Sequence, residues 1–361
     1  MKIRVVIPPW TKGGLKTIVK HVIKGLLKEG YVVEGIQINE SKLMKVFSTD
    51  IKVAYRCQSS NKPDAVLYFG SIPLPGHVIY RYSSVPVILF IHGYTRHQLI
   101  ATLKSSQLLR TRIGVIPLLF ESDFSRIFKT VDFYIAHSET VHEMCQIPIS
   151  RRIVLPQFMF QEEVEELQEL GSKMRSKSAN FDKEVKILAY LSHAISPRLL
   201  STRDLIALGR LCSRQARKRI KLLIIDPNLK PLQTSFIEIV KFLPRNEFLK
   251  QLATSALYIE RSIDEELGYG SLEALALGTP VAKIVHPGYL SRIDYSDREL
   301  LVANSFKELA EKLMDYVNNL DELYFTYSRM GFNFVKTKRT WDNVKTGLVE
   351  HLTKLQGGGI V

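Results

Sequence analysis

Cysteine is scarce in this chain. Cys57, Cys145 and Cys212 are odd in number and far apart, so neither a disulfide framework nor a zinc-binding spacing can be assembled from them, and a reducing cytoplasm fits best. Long hydrophobic runs are also missing. Val85 to Ile91 and Ile113 to Phe120, the latter broken by Gly114 and Pro117, fall short of the roughly 20 apolar residues of a membrane span. The opening residues Met1 to Pro9 hold three consecutive apolar residues before two prolines, which reads as a first strand and not as a signal peptide. No Asp-x-Asp occurs and the nine histidines show no ligand spacing, so the expectation is a chemistry without a metal or other cofactor. Acids are the minority, 36 against 50 basic residues, leaving a formal charge of +14. That excess calls for nucleic acid, an anionic membrane surface or a phosphate-rich substrate, and by itself does not choose among them.

What is present is an ordinary globular composition, 45% hydrophobic and 24% charged over 361 residues. Such a length favours two domains of roughly 150 to 180 residues over one large core. Apolar strand-like runs alternate with helix-period stretches, the pattern of α/β domains built on parallel sheets. Strands are expected near Ile3 to Ile7, Tyr31 to Gln37, Ala65 to Phe69, Val85 to His92 and Val131 to Ala136. A second series follows near Val185 to Leu191, Lys221 to Ile225, Ile237 to Phe242, Ala256 to Ile259 and Val281 to Ile284. Residues Gln161 to Lys183 are rich in Glu, Lys, Ser and Gln and lack a strand pattern, so the interdomain connection is placed there, its first half as a solvated helix. The expected division is a first domain over 1–160, a linker over 161–183, a second domain over 184–335 and a terminal helix over 336–361.

Residues 265 to 281 carry most of the functional information: Glu-Glu-Leu-Gly-Tyr-Gly-Ser-Leu-Glu-Ala-Leu-Ala-Leu-Gly-Thr-Pro-Val. A Gly-Tyr-Gly turn feeds a short helix from Ser271 to Leu277, and Gly278-Thr279-Pro280 stops it. Gly268 and Gly270 then lie where a loop meets a helix N-terminus, whose unpaired N–H groups and positive dipole end suit a phosphate. Glu265 in the loop and Glu273 one turn into the helix can face one ligand and accept hydrogen bonds from vicinal hydroxyls. Taken alone, the two glutamates also fit an exposed acid beside an acidic loop.

The whole string resembles the Glu-x7-Glu signature of retaining glycosyltransferases of the GT-B fold, particularly family 4, the group 1 enzymes that include the phosphatidylinositol mannosyltransferases. The resemblance implies two doubly wound Rossmann-like domains facing a central cleft, the first on the acceptor side and the second binding the nucleotide-sugar, with a C-terminal helix crossing back. It assigns Glu265 to the donor sugar and Glu273 to the nucleotide ribose, with Leu267, Gly268, Tyr269 and Gly270 lining the donor. Gly13-Gly14 resembles the family's glycine-rich loop, although a lone Gly-Gly also fits a plain turn. Ile91-His92-Gly93 resembles the strand end whose histidine lies near the transferred sugar; a strand-end histidine also fits a structural role. Val131 to Ser138, Arg152 to Pro156 and Trp341-Asp342 resemble architectural marks, the last belonging to the returning helix.

One stretch departs from the family. Where Gly-Arg and then a lysine neutralise the leaving diphosphate, this chain has Leu191-Ser192-His193-Ala194-Ile195-Ser196-Pro197-Arg198. His193 falls at the arginine, and Arg198 or Arg203 stands in for the lysine. A neutral imidazole donates one hydrogen bond and lacks the fork that a guanidinium offers a phosphate.

Lys12, Lys16, Lys20, Lys24 and Lys28 recur every fourth residue opposite Leu15, Ile18, Val19, Val22, Ile23, Leu26 and Leu27. This is an amphipathic helix with a lysine row. Its apolar face suits a sheet; Lys16, Lys20 and Lys24 suit an acceptor surface or anionic lipid headgroups. The implied activity is transfer of a sugar from a UDP- or GDP-sugar to a lipid-linked, glycan or protein acceptor, metal-independent and with retention, in the cytoplasm or peripherally on the inner face of a membrane. A nucleotide-sugar epimerase or a phosphorylase would share the fold. A reading of another class is a basic binding protein with a degenerate donor site; no nucleic-acid motif or aromatic interleaving favours nucleic acid as its partner.

Overall fold

Aliphatic and β-branched runs form the strands of two parallel sheets, and the amphipathic stretches between them form the covering helices. The computed structural model describes residues 1–7, 14–38, 44–45, 62–70, 85–91, 131–144, 147–178, 184–190, 200–227, 229–262 and 266–356. Two compact units result: Met1–Pro156 together with Val344–Val361, and Gln157–Asn343.

In the first unit the elements are β1 (Lys2–Ile7), α1 (Gly14–Lys28), β2 (Val32–Ile38), β3 (Met44–Lys45), β4 (Ala65–Gly70), β5 (Val87–Ile91), β6 (Phe133–Ala136), α2 (Glu139–Met144) and β7 (Arg152–Val154). The sheet runs β3-β2-β1-β4-β5-β6-β7, parallel throughout except for the β2–β3 pair. Arg4 of β1 is buried because it stands in register with Glu34 of β2 and pairs with it at 3.0 Å, while Lys2 holds the same carboxylate at 2.6 Å. Helix α1 buries Ile18, Val19, Val22, Ile23 and Leu26, leaving Lys16, Lys20, Lys24 and Lys28 exposed, as its period dictates.

In the second unit α3 (Gln161–Ser178), β8 (Glu184–Tyr190), α4 (Thr202–Gln215), β9 (Arg219–Ile225), β10 (Leu232–Gln233), β11 (Ile237–Val240), α5 (Arg245–Ala253), β12 (Leu257–Glu260), α6 (Tyr269–Ala276), β13 (Val281–Ile284), β14 (Leu301–Ala303), α7 (Phe306–Asn318), α8 (Leu320–Lys338) and α9 (Trp341–Val344) follow in order. Strand order is β10-β11-β9-β8-β12-β13-β14, with β10 alone antiparallel to its neighbour. Alternate strand residues supply two apolar layers, one on each face: Ile187, Leu222 and Ile259 belong to one, Leu188, Leu223 and Tyr258 to the other.

Three boundaries differ from the sequence expectation. Residues read as a linker form α3, which belongs to the second unit because Val164, Leu167 and Gly171 make a buried stripe on its otherwise acidic surface. The return to the first unit begins at Val344 and not at 336. Trp341 is fully buried at 5.0 Å from the ring of Phe158 and 6.4 Å from that of Phe160, and Met159 pairs through its backbone with Arg339 and Trp341, so entry and exit segments of this unit are bonded side by side. Only after this anchor does α10 (Thr346–Gln356) rejoin the first unit, burying Leu348 and Leu352 beside β7, with Lys345 bound to Glu29 at 2.8 Å. Finally, the strand expected over Ile237 to Phe242 stops at Val240, and Phe242 is exposed.

Candidate functional site

Strand order reverses between β8 and β12 in the second sheet, since β9 and β11 lie on one side of β8 and β12 and β13 on the other. Ligands of open α/β sheets bind outside the carboxyl ends of strands at such a switch point. At this point β8 ends in Tyr190 and β12 in Glu260, and the chain continues from β12 into α6, the helix of the glutamate motif.

Glu260 organises the start of α6. Its carboxylate accepts from the Ser271 hydroxyl at 2.6 Å, the Gly268 N–H at 3.2 Å and the Ser262 N–H at 3.2 Å, a negative group at the positive end of the helix. Both glycines stand against a close neighbour. A Cβ on Gly268 would lie 2.9 Å from the Glu260 carboxylate, and one on Gly270 2.6 Å from the Tyr258 hydroxyl. At the other end of α6, Gly278 has φ of 78°, and the Gly278 and Thr279 N–H groups bond back to Leu275 and Ala274, which terminates the helix.

Glu273 is nearly buried, and both its oxygens are held by Arg245, the first residue of α5: Nη2 lies 2.5 Å from Oε1 and Nη1 2.6 Å from Oε2. Tyr190 and Phe248 pack against each other, ring centroids 5.6 Å apart and planes tilted by 55°. Burial, and after it the carboxylates of Glu260 and Glu273, push the Tyr258 phenol well above its ordinary pKa; Tyr269 is raised in the same way by burial and by Glu163, Glu273 and Glu266. Neither phenol is a base near neutral pH.

Two further cations fix the segments beside the start of α6. Lys283 of β13 is fully buried and donates to the Ser262 carbonyl, the Ser262 hydroxyl and the Glu266 carbonyl, each at 2.8 Å, while the Glu266 carboxylate accepts from the Gln157 N–H at 2.9 Å. Ser262 and Glu266 are therefore held to one ammonium group. Arg261 donates from Nε to the Leu200 carbonyl at 2.7 Å, and the Leu200 N–H returns a bond to the Arg261 carbonyl, so Leu200 is tied to the end of β12. Burial lowers the pKa of Arg261, opposed by Asp226 and Glu260.

Of the expected site residues, Leu267, Gly268, Tyr269, Gly270 and Glu273 lie at the start of α6 beside the switch point, and Leu267 is buried. Arg203 is exposed in the first turn of α4. Gly14 opens α1 after β1, whose carboxyl end lies at the switch point of the first sheet, between β1 and β4. Gly13, His92, His193, Arg198 and Glu265 lie outside the described residues. Glu260, Lys283, Arg261 and Arg245 were not singled out from sequence. The available signal was a glutamate ending the apolar run Leu257–Ile259 and a lysine inside the apolar run Val281–Val285.

No family model matches the sequence, and no curated protein matches it. Solved structures do. A sucrose-phosphate synthase from Thermosynechococcus elongatus is similar over 99% of this chain and 100% of its own, at 12% identity and a TM-score of 0.65. Anabaena HepE in complex with UDP and glucose is similar over 98% of this chain and 100% of its own, at 12% identity and a TM-score of 0.61. A UDP-GlcNAc 2-epimerase from Neisseria meningitidis bound to UDP-GlcNAc is similar over 98% and 100%, at 16% identity and a TM-score of 0.54. At such identities the likeness is one of fold: two doubly wound parallel-sheet domains, the GT-B architecture of glycosyltransferases.

Proposed function

We propose that the protein is a retaining glycosyltransferase that moves a sugar from a nucleoside-diphosphate sugar to a lipid-linked, glycan or protein acceptor. The observation that carries this reading is Glu273, a nearly buried carboxylate one turn into α6 at the switch point of the second sheet, inside a seventeen-residue string that resembles the family signature. Its role is to accept hydrogen bonds from the ribose hydroxyls. Glu265 positions the donor sugar, and His92 contacts it near the reacting carbon. Departure of the nucleoside diphosphate is assisted electrostatically by Arg198, by the Gly13-Gly14 loop and by the N-terminal turn of α6, with His193 and Arg203 in the remaining cation positions. Protein cations neutralise the diphosphate in this scheme, so no metal is invoked.

The fold of the 2-epimerase leaves a second reaction to be separated from transfer. A thermal-shift panel of UDP, GDP, ADP and their sugars identifies the donor, because a ligand that prefers the folded state raises the melting temperature. Incubation of that donor with and without an acceptor then distinguishes a new glycosidic linkage, whose anomeric configuration NMR reads as retained, from epimerised sugar nucleotide. The central claim fails if no nucleotide shifts the protein and Glu273→Ala matches the wild type throughout.

The exposed lysines of α1 are assigned to an acceptor surface on anionic lipid at the cytoplasmic face of a membrane, each cation contributing ~1 kcal/mol close to the surface. Liposome sedimentation tests this: binding depends on anionic lipid and is lost on replacing Lys16, Lys20 and Lys24 with glutamate. Equal binding to neutral vesicles contradicts it.

A further inference from the structure

The pair between Arg245 and Glu273 joins the helices on either side of the switch point. Arg245 opens α5, which follows β11 on one side of β8, and Glu273 rides on α6, which follows β12 on the other. The two members differ in freedom: the Glu273 side chain is 9% exposed and that of Arg245 57%. Arg245 also occupies an unfavourable place, a cation in the first turn of a nine-residue helix where the dipole favours anions. Pairing with Glu273 offsets this, but the carboxylate's two oxygens are then already engaged by a charged fork.

We infer that Arg245 is a donor-responsive cation that competes with the ribose hydroxyls for Glu273 and, when displaced, pairs with the nucleotide's diphosphate. Ribose hydroxyls are donors and need the oxygens that the guanidinium holds. Of the two partners the exposed arginine is the one able to move. The diphosphate is the anion that the same ligand brings within an arginine side chain's length of the ribose, and a guanidinium binds it as a fork. A displaced Arg245 thus supplies a second phosphate-binding fork, of the kind lost where His193 stands at the family's arginine. This rests on reading Glu273 as the ribose carboxylate.

The test is calorimetric titration of the full chain and of Arg245→Gln and Arg245→Lys with UDP and with uridine, or with GDP and guanosine if GDP is the nucleotide that stabilises the wild type. Arg245→Gln is expected to weaken the diphosphate about ten- to a hundredfold, the scale of a charged hydrogen bond. It should leave the nucleoside unchanged or bind it more tightly, because Glu273 is released. Arg245→Lys should recover part of the diphosphate affinity. Equal weakening of both ligands would mean that Arg245 merely holds Glu273 in place, and unchanged or tighter diphosphate binding would mean that it never meets the phosphates; either result overturns the inference while leaving the reading of the site intact. A wild-type protein that binds none of the four ligands defeats that reading and this inference with it.

Discussion

The ammonium group of Lys283 lies 2.8 Å from the Ser262 carbonyl and 2.8 Å from the Glu266 carbonyl, holding the end of β12 and the approach to α6 from inside the core. All three of its N–H donors are used, the third on the Ser262 hydroxyl. Lys283→Met keeps the volume and leaves those acceptors buried, at about 1–3 kcal/mol for a group stranded in this way. Chemical denaturation should show a loss of that size, and nucleotide-induced thermal stabilisation should fall, because Glu265, the proposed donor-sugar contact, lies in the chain between Ser262 and Glu266. Wild-type nucleotide stabilisation in the variant would show that the loop is held by other contacts.

Gly270 has two competing explanations, room for a ligand or room for Tyr258. An alanine Cβ would stand 2.6 Å from the Tyr258 hydroxyl, so Gly270→Ala is expected to cost about 1–3 kcal/mol through overpacking. Removing the obstructing oxygen in the double variant Tyr258→Phe, Gly270→Ala should recover most of that loss. Nucleotide binding by the double variant then separates the explanations: full binding assigns the glycine to packing, and a stable protein without binding assigns it to ligand approach.

His142 sits fully buried in the first unit, its Nε2 3.1 Å from the Ile153 carbonyl and its Nδ1 without a hydrogen-bond partner among the described residues. Burial holds its pKa below the ordinary value of 6.5, outweighing the raising influence of the Ile153 carbonyl and Glu139. Above 6.5 the imidazole is neutral in both states and contributes no pH dependence. Below it the unfolded chain takes up a proton that the folded protein refuses, so stability falls as pH drops, by at most about 1.4 kcal/mol per pH unit from this group. Urea unfolding between pH 8 and 5 should show a steeper acid loss for the wild type than for His142→Gln; parallel curves would remove His142 as the cause.

How far the sequence reveals this molecule follows from the range of each signal. The strands beginning near Ile3, Ala65, Val185 and Val281 were legible because their apolar runs are local and bounded by turns. The end of α6 was legible too, since Gly278 and Pro280 write it directly. Helix α3 was legible as a helix but not as part of the second unit, because Val164, Leu167 and Gly171, spaced i, i+3 and i+7, make a thin stripe among glutamates and lysines. Strand β14 has three residues, too few for a period to appear. In the site, Glu273 was visible through its spacing from Glu265, whereas its partner Arg245 lies 28 residues away and Glu260 bonds Ser271 from 11 residues away. Only the fold brings such charges together.

Glu260 invites a prediction in which stability and ligand affinity move in opposite directions. Its carboxylate occupies the N-terminal turn of α6, holding the Gly268 N–H and the Ser271 hydroxyl, and its charge opposes any phosphate that approaches the same helix end. Glu260→Gln keeps one acceptor oxygen but turns an amide donor toward groups that are themselves donors, so the folded state should lose about 1–3 kcal/mol. The repulsion is lost with the charge, and UDP should therefore bind more tightly to the variant, with uridine unaffected. Sites that trade stability for function show such a pattern. Should UDP and uridine both weaken, Glu260 acts by holding the loop in shape, and the anion-binding end of α6 lies elsewhere than its first turn.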